Sequence, residues 1–234
     1  MALIAKEGSS FEPAPEGVFP GRCIWVIDLG TQVSDGMFGH SEKHQMYVNW
    51  ELVDEATNSG QPMTIGAFFT VSLNPKGNLR PTLESWRGRA FTPEELKGFD
   101  VAKLINAPCL ISVKHQPKAD GSGIRAQVSG VMAPMKGQVI GPAREPTILI
   151  DLDAPDAPAK VEALPDWLKA KIASTAEWAK IMGWDTAQPA PVPVTPAAAP
   201  NTINNAYKAM KEGVAPPPPK PVAAGSDFAD EIPF

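Results

Sequence analysis

Residues 63–73, MTIGAFFTVSL, followed by LRPTLESWR at 79–87 and then by CLISVKHQ at 109–116, decide how this chain folds. The first run is rich in β-branched and aromatic residues and stops at Asn74-Pro75, as a strand does. The second carries helical spacing, and the third is again a strand. Upstream, GRCIWVIDL at 21–29 is a strand apolar on both faces. Residues 44–53 alternate: Met46, Val48, Trp50 and Leu52 point one way, and Gln45, Tyr47, Asn49 and Glu51 the other. That pattern suits a sheet buried on one side. Downstream, IRAQVSGVM at 124–132 forms a hairpin with 109–116 across the turn-rich PKADGSG.

Between the third and fourth strands lie two helical candidates, 79–87 and 92–98. In the latter, Thr92 as N-cap, Pro93 at N1 and Glu95 at N3 make a capping box. Three strands, a helical segment and two strands is the element order of a five-stranded OB barrel, so the chain is expected to be mainly β. Small SH3-like barrels and half-sandwiches give similar strings. Pro165 and the four- and three-residue spacing of Leu168, Ile172, Ala176 and Ala179 predict one amphipathic helix over 165–182. It is expected to cover an end of the barrel or to meet another subunit.

The 234 residues include 26 prolines and 19 glycines against 7% aromatics, so part of the chain is too poor in core-formers to pack. Residues 186–226 hold ten of those prolines and one aromatic, Tyr207, and are expected to be a disordered tether. The expected organisation is a binding domain at 1–150, a helical extension at 151–185, the linker, and a distinct tip at 227–234. The net charge near −5 belongs mostly to the part after residue 150. No apolar run of membrane-spanning length occurs, and MALIAKEGSS lacks the basic start of a secretory signal. Cys23 and Cys109 sit in apolar runs, as reduced thiols in a cytoplasmic protein do.

Motifs for phosphate-binding loops, dinucleotide folds, nucleophile elbows, CxxC pairs and HExxH zinc sites are missing from the sequence, so catalysis and a cofactor are not expected. His40, Glu42 and His44 alternate, but in a Gly-bordered loop without a fourth ligand, which disfavours a metal site. Asp151, Asp153 and Asp156 lack the glycine and terminal glutamate of a calcium loop. What remains is a binding surface. Lys76, Arg80, Arg87 and Arg89 face one acid, Glu84, within residues 76–89, an excess that suits a phosphate backbone or a solvated helix face. Trp25, Tyr47, Phe68 and Trp86 supply rings on which unpaired bases stack. Alternation turns Tyr47 and Phe68 outward and leaves Trp25 ambiguous. Arg22, Lys114 and Arg125 on three strands add candidate phosphate contacts. Rings and phosphates offer no base code, so sequence preference is expected to be slight.

The end of the chain is distinctive. In DFADEIPF, Asp227, Phe228, Asp230, Glu231, Ile232, Pro233 and Phe234 combine acids with apolar groups and a terminal carboxylate. A terminal ring fills a pocket while its carboxylate meets a cation at the rim. This tip resembles that of bacterial single-stranded-DNA-binding proteins, which ends in acids followed by Ile-Pro-Phe. The segments GRCIWVIDLGTQ, FFTVSLNPKGNLRPTLESWRGRAFTPEEL and PCLISVKH are similar to a phage-encoded family of such proteins with a diverged OB fold, over roughly residues 15–135. The resemblance implies a protein that coats and protects single-stranded DNA in the bacterial host cytoplasm during phage replication, recombination and repair. It implies a tip that recruits host or phage enzymes and competes with DNA for the groove. The tetramer of the cellular proteins does not carry over, though self-association on DNA remains an expectation. A 41-residue tether spans roughly 35 Å, against a domain radius of gyration of about 15 Å, so such a tip reaches any face. An annealing factor that also binds duplex, and a protein-interaction adaptor, are the competing expectations.

Overall fold

The computed structural model describes residues 12–36, 39–118, 121 and 123–184. The linker at 186–226 and the tip at 227–234 lie outside the described residues. The chain is mainly β. Its strands are β1 (Gly17–Gly36), β2 (Gly39–Ala56), β3 (Pro62–Thr70), β4 (Pro108–Pro117), β5 (Ile124–Met132) and β6 (Ile148–Ile150). Helix α1 (Leu79–Arg87) lies between β3 and β4, and α2 (Ala157–Glu162), α3 (Asp166–Ala173) and α4 (Ala176–Ile181) follow β6.

The hydrogen-bonded order is β3-β2-β1-β4-β5, with antiparallel neighbours throughout. β1 pairs with β4 through Gly17–Arg22. Past the register shift after Cys23 it pairs in parallel with the short β6, a strand the sequence pattern did not reveal. Among the described residues no ladder joins β3 to β5, although the two approach each other, so the six-stranded sheet is open.

Both faces of this sheet are used. Inward-facing residues of all five long strands, among them Cys23, Met46, Val48, Trp50, Ile65, Ile111, Val113 and Val131, bury one core with Leu79, Leu83 and Trp86 of α1. Trp50 is fully buried, with Phe69 edge-on at 6.3 Å. Complete burial of a large apolar side chain contributes roughly 1.5–3 kcal/mol. The outer face of β1 carries a second core, where Ile27 and Leu29 meet Ile150, Val161, Leu164, Leu168, Ile172 and Trp178. Strand β6 and helices α2, α3 and α4 therefore pack against the outer face of β1.

Several expectations are corrected. The strands at 21–29 and 44–53 continue into one long hairpin, so His40, Glu42 and His44 stand on β2 and not in a loop. The segment 92–98 keeps its reciprocal capping box, Thr92 N–H to Glu95 Oε2 (3.0 Å) and Glu95 N–H to Thr92 Oγ1 (3.3 Å), yet forms only a 3-10 turn at Glu95–Lys97. The single helix at 165–182 is broken. Thr175 is extended (φ −98°, ψ 150°), and its hydroxyl accepts from Trp178 N–H, capping a new helix. Gly30, in the left-handed region (φ 68°) at a bulge of β1, makes room for that cap, since a Cβ there would lie 3.0 Å from Thr175 Oγ1.

Candidate nucleic-acid interface

On the outer face of β2 and β3 the period-2 rule places Tyr47 opposite Phe68 and Asn49 opposite Gly66. The Tyr47 and Phe68 ring centroids lie 5.1 Å apart. A third ring completes the group. Trp167 of α3 stands edge-on to Tyr47 at 5.2 Å and to Phe68 at 6.2 Å. Phe68 is 40% and Trp167 48% exposed, whereas Tyr47 is half-buried, and burial pushes its hydroxyl up to about 12. Lys171, one turn further along α3, holds its ammonium 5.1 Å from the Phe68 ring centre.

Gly66 is what lets Tyr47 lie down. A Cβ at this position would fall 2.7 Å from Tyr47 Cε2 and closer still to Cζ and Oη, so the ring rests on the glycine backbone. Two cavities meet here. One of about 540 Å³ runs between the facing edges of β3 and β5, lined by Phe68, Asn78, Thr82, Arg125, Gln127 and Ser129 among others. The other, about 330 Å³, is bounded by Trp25, Tyr47, Asn49, Thr64 and Trp167. Both include Gly66 and Ala126, so together they form one groove along the open seam of the sheet.

The structure brings only some of the expected residues to this groove. Trp25, Tyr47, Phe68 and Arg125 are there. Lys114 shares the outer face of β4–β5, because it pairs with Gln127 as Gln116 pairs with Arg125. Lys76 is exposed in the β3–α1 loop, two residues from the groove-lining Asn78. Trp86 is a core residue. It is 6% exposed, its indole N–H donates to Pro108 O at 2.9 Å, and its ring lies 5.8 Å from Trp50. No base can stack on it without opening the core.

Arg22 is likewise committed, because its guanidinium donates to the carbonyls of Ile140 (2.8 Å), Asn106 (2.7 Å) and Gly141. It ties two loops to β1. The basic excess at 76–89 is largely neutralised in space. Arg80 pairs with Glu84 at 3.0 Å, and Glu95, eight residues beyond Arg87, pairs with both Arg87 and Arg89. The Arg89 hydrogen bond and the Thr92 N–H hold the Glu95 carboxyl down at about 2. Arg87 also lies 4.4 Å from the Phe91 ring centre.

The outward polar row of β2 is not all solvated either. Glu51 is fully buried and accepts N–H bonds from Arg144 (2.9 Å) and Glu145 (2.8 Å), which fastens that loop over the sheet. His40 bridges Asp35 (2.7 Å) and Glu42 (3.1 Å), and the hydrogen bond to Asp35 raises its pKa. His44 pairs instead with Asp28 at 2.7 Å. Among the described residues no three His, Cys, Asp or Glu side chains are arranged so that they could hold a metal ion. Asp151 Oδ1 accepts from Asp153 N–H, and Asp156 pairs with Lys160 at 2.9 Å. No helix among the described residues is long and apolar enough to cross a membrane.

Sequence reasoning missed Trp167, Lys171, Asn49 and Gly66 at the groove. A signal existed for the first: Trp167 lies off the buried Leu168–Ile172 stripe of its helix, which puts a large ring on the polar side. No family model matches the chain, and no curated protein matches it.

Proposed function

We propose that this chain is a non-catalytic, OB-type single-stranded-DNA-binding protein serving phage replication, recombination and repair. The groove along the β3–β5 seam holds the unpaired strand, and the acidic tip recruits partner proteins. The observation that carries the proposal is the meeting of four rings, Trp25, Tyr47, Phe68 and Trp167, with Arg125 along one groove. Stacking on such rings contributes roughly 1–3 kcal/mol per base and tolerates any base. Arg125 and Lys171 then meet phosphates.

The OB assignment is supported by β1 pairing with both β2 and β4, by a helix between the third and fourth strands, and by the approach of β3 to β5. The residues assigned to DNA are Trp25, Tyr47, Phe68, Trp167, Arg125, Lys171, Lys114 and Lys76. Trp86, Arg22, Arg80, Arg87 and Arg89 are released to the structural roles described above. The tip, with three acidic side chains and a carboxylate, competes with phosphates for the same cations.

The test is a titration of the intact chain, and of a chain lacking 227–234, with single-stranded and duplex oligonucleotides across a salt series, following Trp emission. Quenching by single strands, tightened at low salt by loss of the tip, is the expected result. Comparable duplex affinity would instead make the protein an annealing factor. Absence of binding to any oligonucleotide would leave an adaptor that uses the sheet for protein contacts.

A further inference from the structure

Three successive residues of β1 fasten the helices that bring Trp167 and Lys171 to the groove. The strand shifts register between Asp28 and Thr31, and Gly30, Thr31 and Gln32 stand at that irregularity. Gly30 leaves room for the Thr175 and Glu177 side chains. Thr31 N–H donates to Glu177 Oε1 of α4 at 3.1 Å. The Gln32 side-chain amide donates to two carbonyls, Leu29 of its own strand at 2.8 Å and Lys171 of α3 at 3.2 Å. The Lys171 carbonyl belongs to the last turn of α3, where carbonyls have no partner within the helix. Its other donor is the hydroxyl of Ser174, the residue that caps the same helix, at 2.8 Å. Among the described residues, the Gln32 contact is thus the one hydrogen bond that joins α3 to the sheet.

Trp167 and Lys171 lie four residues apart and share one face of α3, beside the Leu168–Ile172 stripe that is buried against β1. Burial of that stripe holds the helix down, but apolar attraction is non-directional and tolerates small slides and rotations. A hydrogen bond has a preferred length and angle, so it fixes where the helix stops. The stopping point decides the site, since Trp167 stands 5.2 Å from Tyr47 and the Lys171 ammonium 5.1 Å from the Phe68 ring centre. Binding constellations need such geometry held to within about 0.5 Å. Resting on the single-strand function above, we propose that Gln32 is a positioning residue for the groove. It lines neither of the groove's two cavities. Through the Lys171 carbonyl it keeps α3 where Trp167 meets a base and the Lys171 ammonium meets a phosphate. An uncharged side chain outside the groove therefore sets how strongly the groove holds a charged strand.

The experiment titrates the full chain with labelled oligo-dT across a salt series and compares it with Gln32→Met, which keeps the side chain's length and removes its donor. Both are also made in a background carrying Trp167→Ala and Lys171→Ala, and every fold is checked by thermal melting. Gln32→Met is expected to weaken binding about fivefold, the scale of one hydrogen bond passed on to the site. It should also lower the slope of log affinity against log salt by up to about 0.7, one phosphate contact, although no charge has been removed. In the background without Trp167 and Lys171 the same substitution should do neither. No loss, a loss at unchanged slope, or a loss that recurs undiminished in that background overturns the positioning role while leaving single-strand binding intact. Should Gln32→Met fail to fold, Gln32→Asn, which keeps the amide but draws it back by one methylene, is judged by the same outcomes. Failure of the unaltered chain to bind oligo-dT removes the proposed function itself.

Discussion

Replacing Gly66 with alanine is a small change with a calculable consequence. The new Cβ would stand 2.7 Å from Tyr47 Cε2, with Cζ and Oη nearer still, so the ring has to leave. Its departure breaks the Tyr47–Phe68 and Tyr47–Trp167 contacts at 5.1 and 5.2 Å. Aromatic pairs of this geometry contribute about 0.5–1.5 kcal/mol each beyond their buried area. Opposing this, alanine in a strand stiffens the unfolded chain and returns about 0.4–1 kcal/mol. Gly66→Ala should therefore destabilise the protein by about 1 kcal/mol, read as a lowered urea midpoint at unchanged slope. In a Tyr47→Ala background the obstruction is gone, and the same substitution should become neutral or stabilising by about 0.5 kcal/mol. That change of sign is the diagnostic. The displaced ring should also weaken single-strand binding by about tenfold, the loss of one stacked base. Equal destabilisation by Gly66→Ala with and without Tyr47 would refute the packing described here and, with it, the groove's geometry.

Arg125→Ala should weaken single-strand binding and lower the slope of log affinity against log salt by about 0.7, the contribution of one phosphate contact, while oligonucleotide-free stability stays put; an unchanged slope would remove Arg125 from the interface. Glu95 has its carboxyl held at about 2 in the folded chain against an ordinary 4.5, so its support of Arg87 and Arg89 is complete above pH 4.5 and is lost as pH falls towards 2. In Glu95→Gln that part of the acid dependence should vanish, seen as urea midpoints at pH 7 and pH 3 that differ less than in the parent. Cys23 and Cys109 are fully buried, and burial pushes both thiols well above their ordinary range. Neither should react with iodoacetamide at pH 8 until denaturant is added, and mass spectrometry of the native protein showing a carbamidomethyl adduct on either would contradict the core assignment.

The second strand was legible because it is a half-buried alternation whose period survives in the residues: Met46, Val48, Trp50 and Leu52 went inward as their spacing required. What the pattern could not carry was any partner brought from far along the chain. Arg22 looks like a rim cation until the carbonyls of residues 140 and 141, more than a hundred positions away, close on it. Arg87 and Arg89 look like a phosphate patch until the turn at 92–98 places Glu95 between them. Charge counted along a window is thus a poor guide to charge in space, and arginine misleads most, since its forked donors suit carbonyls and carboxylates as well as phosphates. Trp86 shows the same limit for rings, because only the packing of its helix on the sheet, against the distant Trp50, takes that ring out of solvent. The groove escaped notice for a different reason: its defining feature is a missing side chain. Gly66 reads in the sequence as a weak point in a strand, whereas in the sheet it is the space into which Tyr47 folds, beside a lining that includes Trp25 and Asn49. A glycine on the polar face of a strand, flanked by aromatic residues two positions away on its own strand and diagonally across, therefore marks a candidate binding hollow rather than a defect, and the same rule can be applied to any half-exposed sheet.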